Sequence, residues 1–470
     1  MRRPSQGYAL AAAEKAVNGL LDKGRADLAC RLALESACKL PSSPVLGKLL
    51  EKALSCCPDA AQAKKIYASL LALPGAYPGH YYWLAMFCKR AGDYAGMKKA
   101  FEGFLRARGK SEPLYAYIAC CTLDRYEEAF RAAEEVLDAP DSGTVLSRLW
   151  NPWGDRSSAM PTGFFPARLK KLAAAKLSPE LEPYRAFLRG ALLYYTGDYA
   201  GALRSFDGLP ALPAERYGWM RFPAGLAALY RLEFSRAFKE FSASEKAAVS
   251  RVTSMGRLAE VCFCTGSYAA GLKKLRGAQE LAPLWARAGL LAWEGQLRLF
   301  AGRYKEALVP LSAGALGGDD AAYCWRGAAL LRLGRLAEAL VDLDKAVELF
   351  PTDREARVWR AEARSLAGNP AGALADLESV LAHGPNNWAY IDRALLRSDA
   401  GDEQGMRADF RLVAPEIRRA LARAAGGRDV RARLEKAHEL ALGDRRDEKY
   451  FNHAWLHRAA GRFTNRRAID

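Results

Sequence analysis

The fold class this sequence predicts is all-α: a right-handed superhelical solenoid of stacked helix-turn-helix units, about twelve pairs in all. Three observations point there. Half of the 470 residues are hydrophobic, so packed structure can extend throughout. Alanine and leucine dominate, β-branched residues are sparse, and runs that alternate polar and apolar residues are missing; that balance favours helix over strand. Finally, a ten-residue segment, usually opening on glycine, recurs from Gly197 onward at steps of 35, 34, 36, 32, 34 and 33 residues. A period near 34 belongs to two-helix repeats.

Each copy has a physical logic. The clearest are GDYAGMKKAF at Gly92, GDYAGALRSF at Gly197, GSYAAGLKKL at Gly266, GRYKEALVPL at Gly302, GRLAEALVDL at Gly334 and GNPAGALADL at Gly368. Weaker copies start at Asp124, Leu232 and Gly401. The glycine is expected in left-handed backbone that ends a first helix. The aromatic two residues later packs back on that helix. The small residue five after the glycine (Ala202, Ala307, Ala339, Ala373) lets two helices approach closely. The large apolar residue four further on (Phe206, Leu311, Leu343, Leu377) fills the gap to the next unit. Pro41, Pro283, Pro351 and Pro385 stop second helices.

In these residues the chain resembles the tetratricopeptide repeat family. Within 320–353, Tyr323, Gly327, Leu330, Gly334, Ala339, Leu343, Ala346 and Pro351 fall on the family's signature positions. The next copy, 354–387, is similar through Ala361, Gly368, Ala373, Leu377 and Pro385. The likeness spans about residues 10–420 and is strongest over 252–387. Units read at 10–43, 44–77, 78–109, 110–143, 144–182, 183–217, 218–251, 252–287, 288–319, 320–353, 354–387 and 388–420.

The expected organisation follows. Residues 1–143 form a basic N-terminal set of repeats and 183–420 the main array. Between them, 144–182 is a degenerate repeat carrying the Pro/Gly-rich loop 151–166. That loop either tucks against the array's edge or binds through Trp153, Phe164 and Phe165. Residues 421–470 are C-terminal helices, a cap or a repeat cut short.

Charge is placed unevenly. The chain carries +17 overall. Residues 61–110 hold nine Lys or Arg against Asp93 and Glu102, a net of +7, whereas 319–385 hold eleven acids against eight bases, a net of −3. Such a balance favours an acidic protein partner, nucleic acid or an anionic surface. No secretory signal is read at the N-terminus, because Glu14 and Lys15 end its short apolar stretch. No stretch approaches the length of a membrane helix. A cytoplasmic protein is the expectation. The ten cysteines form no paired CxxC knuckles and read as small buried hydrophobes.

Catalytic chemistry is hard to find. His453 and His457 lie four apart but lack the glutamate of a zinc-protease helix, and no third ligand is evident. No phosphate loop, dinucleotide fingerprint or nucleophile elbow occurs. Neither an enzyme, a cofactor nor a metal site is expected. The resemblance instead implies a concave groove lined by first helices at repeat positions near 2, 5, 6, 9, 12 and 13. Position 6 holds Trp83, Tyr115, Trp293, Trp325 and Trp359, and position 13 holds Arg90 and Arg332. These rings either form a ladder of anchors for a peptide or partner helix, or pack between neighbouring first helices. A chaperone-type carboxylate clamp is not expected, since position 5 lacks the required Asn. The expected partner is a protein or peptide. The competing readings are a basic helical-repeat nucleic-acid binder, or the non-catalytic arm of a larger enzyme assembly such as a transferase.

Overall fold

A computed structural model describes residues 6–21, 25–55, 60–138, 146–153, 163–282, 284–351, 353–382, 384–413, 415–425 and 429–440. Among them the structure is all-α, with helices packed in consecutive pairs and no strand. His453, His457, Cys56 and Cys57 lie outside the described residues. The chain divides into two compact units, Met1–Ala211 and Leu212–Asp470.

In the first unit the pairs are α1 (Gln6–Leu21) with α2 (Ala26–Lys39), α3 (Pro44–Ser55) with α4 (Ala60–Leu71), and α5 (Gly79–Arg90) with α6 (Tyr94–Ala107). Then come α7 (Pro113–Thr122) with α8 (Tyr126–Leu137), the short α9 (Leu146–Trp150) packed on α7, α10 (Phe164–Ala174) packed on the next helix, and α11 (Glu182–Tyr195) with α12 (Tyr199–Asp207). The second unit opens with the short α13 (Ala214–Tyr217), followed by α14 (Phe222–Tyr230) with α15 (Phe234–Ser244). Its later pairs are α16 (Arg251–Cys264) with α17 (Tyr268–Leu281), α18 (Leu284–Phe300) with α19 (Tyr304–Leu316), and α20 (Ala321–Arg332) with α21 (Leu336–Leu349). It ends with α22 (Arg354–Leu366) and α23 (Pro370–Ala382), α24 (Asn387–Asp399) and α25 (Glu403–Leu412), and α26 (Pro415–Ala425) and α27 (Val430–Leu440).

The turns carry the period. Gly92, Gly197, Gly266, Gly302, Gly334, Gly368 and Gly401 all have φ between 72° and 84°. Asp124 and Leu232, which open the weaker copies, hold the same left-handed conformation at φ 62° without being glycine. After three of these turns an aspartate caps the next helix: Asp93, Asp198 and Asp402 accept from the amides of Gly96, Gly201 and Gly405 at 2.8 Å. Inside each pair the close contact is where the pattern places it. Ala202, Ala307, Ala339 and Ala373 are fully buried, as are Phe206, Leu311, Leu343 and Leu377.

Two boundaries differ from the sequence reading. The left-handed turn at Gly401 places the start of its unit at 387, one residue before the expected 388, because the step from Gly368 is 33 residues and not 34. Asp392 therefore occupies position 6, where the tryptophans sit in earlier units. The last helix pair begins at Pro415, ahead of the expected break at 421.

First helices also touch the first helix of the next pair. This joins α1, α3, α5, α7 and α9 in the first unit, and α16, α18, α20, α22 and α24 in the second. Each unit thus has a wall of first helices, and that wall is where the candidate residues lie.

Candidate functional site

In the first unit the wall is aromatic. Trp83 on α5 and Tyr115 on α7 are both half-buried, and their rings meet edge to face at 5.7 Å. Tyr82, fully buried, stacks flat on Tyr115 at 4.0 Å and meets Trp83 edge on at 5.0 Å. It fixes both rings from behind. Burial raises the pKa of the Tyr115 phenol, so it stays neutral. The side chain of Arg90 lies outside the described residues. Its neighbour Lys89 points its ammonium at the carbonyl of Trp153. Burial first, and the Arg148 charge second, lower the Lys89 pKa to about 8.

The loop candidates divide. Trp153 is 2% exposed and Phe164 8%, so both belong to the core. Trp153 meets Phe164, Phe165 and Tyr195 edge on, and the Arg168 guanidinium lies 3.4 Å over the Phe164 ring. Phe165 is half-buried and stacks on Tyr195 at 5.2 Å. Residues 154–162 lie outside the described residues. Of the three rings proposed for contact, only Phe165 keeps an open edge.

In the second unit the tryptophans at position 6 have unequal surroundings. Trp293 is half-buried in a slot left by Gly256 on the preceding first helix, where an added Cβ would come within 2.3 Å of the ring. The Arg257 guanidinium lies 5.1 Å over it. Trp325 is half-buried against the core of Ala292, Leu299, Cys324 and Ala328. Trp359 is fully buried. Arg332, from the previous first helix, covers the Trp359 ring at 5.2 Å and pairs with Glu362 at 3.2 Å. A continuous accessible strip of three tryptophans therefore does not exist at its third member. Arg332 is likewise engaged in joining two first helices, with 12% of its side chain exposed.

The polar groups of this wall are held in pairs. Glu260 is buried against Arg257 at 2.5 Å, and Glu294 accepts from Arg298 at 2.6 Å and from Gln279 at 2.9 Å. Between α22 and α24 a small pocket of about 160 Å³ is lined by Glu362, Asp392 and Asp399 with Leu395 and Leu396. Asp399 in turn pairs with Arg431 on α27 at 2.8 Å.

A second set of pairs was not read from the sequence. Arg326–Asp342, Arg360–Asp376 and Arg393–Asp409 each join a first helix to the second helix of the same pair, at 2.6–2.7 Å. The carboxylates are buried. The signal was available, because an arginine is followed sixteen residues later by an aspartate in three successive units. Bidentate hydrogen bonding explains the choice of Arg over Lys.

Residues 320–353 match the tetratricopeptide repeat family. With nine turns of one backbone conformation, most of them 32–36 residues apart, the described residues form a helical-repeat array in which 320–353 are of tetratricopeptide type. No curated protein sequence matches it. Among solved structures, yeast Tom70 is similar at 12% identity and a TM-score of 0.33, over 88% of this chain and 97% of that one. The human IFIT1 dimer with PPP-AAAA is similar at 13% and 0.44, over 86% and 91%. The Cut9–Hcn1 hetero-tetramer of APC/C is similar at 13% and 0.37, over 79% and 93%. At these scores the likenesses carry nothing about partner or site.

Proposed function

We propose that this chain is a non-catalytic interaction scaffold that binds a peptide or a partner helix of another protein along its first helices. One observation carries the reading. Four aromatic residues at a single repeat position, Trp83, Tyr115, Trp293 and Trp325, stay half-buried on first helices, backed by rigid packing. Rigid aromatic anchors with one open edge are what interface hot spots use. The charged groups beside Trp293, Arg257 with Glu260 and Arg298 with Glu294, are locked in ion pairs, which suits a holding surface better than proton transfer. We place its work in the cytoplasm. Seven of the eight described cysteines are buried free thiols, and no described helix is long and apolar enough to cross a membrane.

The test compares two tryptophans. Trp325→Ala should weaken binding of captured partners by about 2 kcal/mol or more while leaving thermal unfolding nearly unchanged. Trp359→Ala, at a fully buried ring, should cost roughly 3–5 kcal/mol of stability. If Trp325→Ala unfolds as early as Trp359→Ala and releases no partner, the position-6 rings are packing residues and the groove reading fails.

A further inference from the structure

A separate surface is carried by the second helices. In the first unit, an exposed base stands two residues after the buried residue of each close helix contact. These pairs are Ala29 and Arg31 on α2, Ala63 and Lys65 on α4, Met97 and Lys99 on α6, Ala129 and Arg131 on α8, Arg168 and Lys170 on α10, and Ala202 and Arg204 on α12. Lys and Arg make up only 70 of 470 residues, so composition does not fill one exposed position six times running. Lys239 and Lys273 hold the same place on α15 and α17, after which Val309 and Val341 take it, 75% and 70% exposed.

The bases are not equally available. Arg131 pairs with Glu127 at 2.6 Å, and α8 also carries Glu128, Glu134 and Glu135, so the surface changes sign there. Ahead of α8, Arg31, Lys65 and Lys99 make no ion pair among the described residues, and exposed Lys98 and Arg106 add to α6. Among the described side chains, Glu35 and Glu102 are the exposed acids on these three helices. Lys64 is already neutralised by Asp93, the cap of α6, a contact that also ties α4 to the turn before α6.

We propose that the exposed face of α2, α4 and α6, centred on Arg31, Lys65 and Lys99, is a docking surface for a short acidic segment of a protein partner. α2 touches α4, and the Lys64–Asp93 contact joins α4 to the turn before α6; at helix spacings on the order of 10 Å the basic track is about 20 Å long before α8 reverses the charge. An extended polypeptide covers that span in about six residues. A nucleic acid fits less well. Apart from half-buried Tyr94 the face offers no aromatic ring for base stacking, and a long polyanion would run onto the glutamates of α8.

The test uses the full chain and a fluorescein-labelled octaglutamate peptide, read by anisotropy at low salt. Lys65→Glu/Lys99→Glu should weaken binding about tenfold or more, with thermal unfolding unchanged because both side chains are exposed. Lys239→Glu/Lys273→Glu alters the same repeat position in the second unit and lowers net charge equally; it should leave binding within about twofold. Equal losses in both variants would make the effect one of net charge, and no loss in the first would place the peptide elsewhere; either overturns the proposal. So would tighter binding of octauridylate than of octaglutamate with the same sensitivity to Lys65→Glu/Lys99→Glu, which would assign the face to nucleic acid.

Discussion

Leu232 and Asp124 hold a left-handed backbone that side chains disfavour by roughly 1–2 kcal/mol. The surrounding helix pairs impose it, because the same turn in other units is made by glycine. Gly334→Ala should therefore destabilise by about 1 kcal/mol, although the added Cβ meets nothing within 4 Å. Leu232→Gly should gain part of that energy back, less the flexibility glycine adds to the unfolded chain. Chemical denaturation of both variants checks the pair, and equal destabilisation by both would contradict it. Lys89 supplies a pH dependence. Its pKa in the folded chain, about 8, lies below the ordinary 10.5, so between those values the unfolded chain binds the extra proton. Stability from this residue is lost below pH 8 and rises as pH increases through 8 to 10.5. Lys89→Met should be favoured over the wild type most at pH 7.5, with the difference shrinking by about pH 10. A difference that stays constant across that range would show that the ammonium is not desolvated.

At the level of the helix pair, the arginine–aspartate contacts set the register between first and second helices. Arg326→Leu leaves the Asp342 carboxylate buried without its bidentate partner and should cost roughly 3–5 kcal/mol. Arg326→Leu/Asp342→Leu should recover most of that loss, since removing both charges removes the desolvation cost. If the double variant is as unstable as the single, the contact is merely incidental to packing. Ala339→Trp should destabilise strongly in the same pair by overfilling a fully buried position. Helix positions were legible in the sequence because glycine turns, small contact residues and proline stops repeat at fixed offsets. The one-residue shift at 387 escaped because the step from Gly368 to Gly401 is 33 residues, one short of the 34-residue step before it. The fate of the tryptophans could not be read in the same way. Position 6 faces the wall in every unit, yet Trp359 is sealed by an arginine from the preceding unit and Trp293 sits in a slot made by a glycine there. Burial at one repeat is decided by residues about 30 positions away, which a pattern confined to one unit does not contain.

Across the molecule, the +17 net charge is not spread evenly over the helices: one position of the second helices is basic through α17 and apolar at α19 and α21. Salt should therefore weaken acidic partners through the first unit far more than it weakens contacts made by rings on first helices. The packing pattern has another outcome. Each helix touches chiefly the one before it, the one after it and the next of its own kind. Among the described elements the contacts are between near neighbours in the chain, so loop-closure entropy is small at each of these steps and ordering can begin at many places. Amide hydrogen exchange should accordingly record a graded profile, slow in the glycine-paired middle helices and faster toward pairs with little core on one side, in place of a single opening event. A peptide clamped across several first helices would then act as a splint: its arrival would slow exchange in the helices it bridges and leave the rest of the array breathing as before.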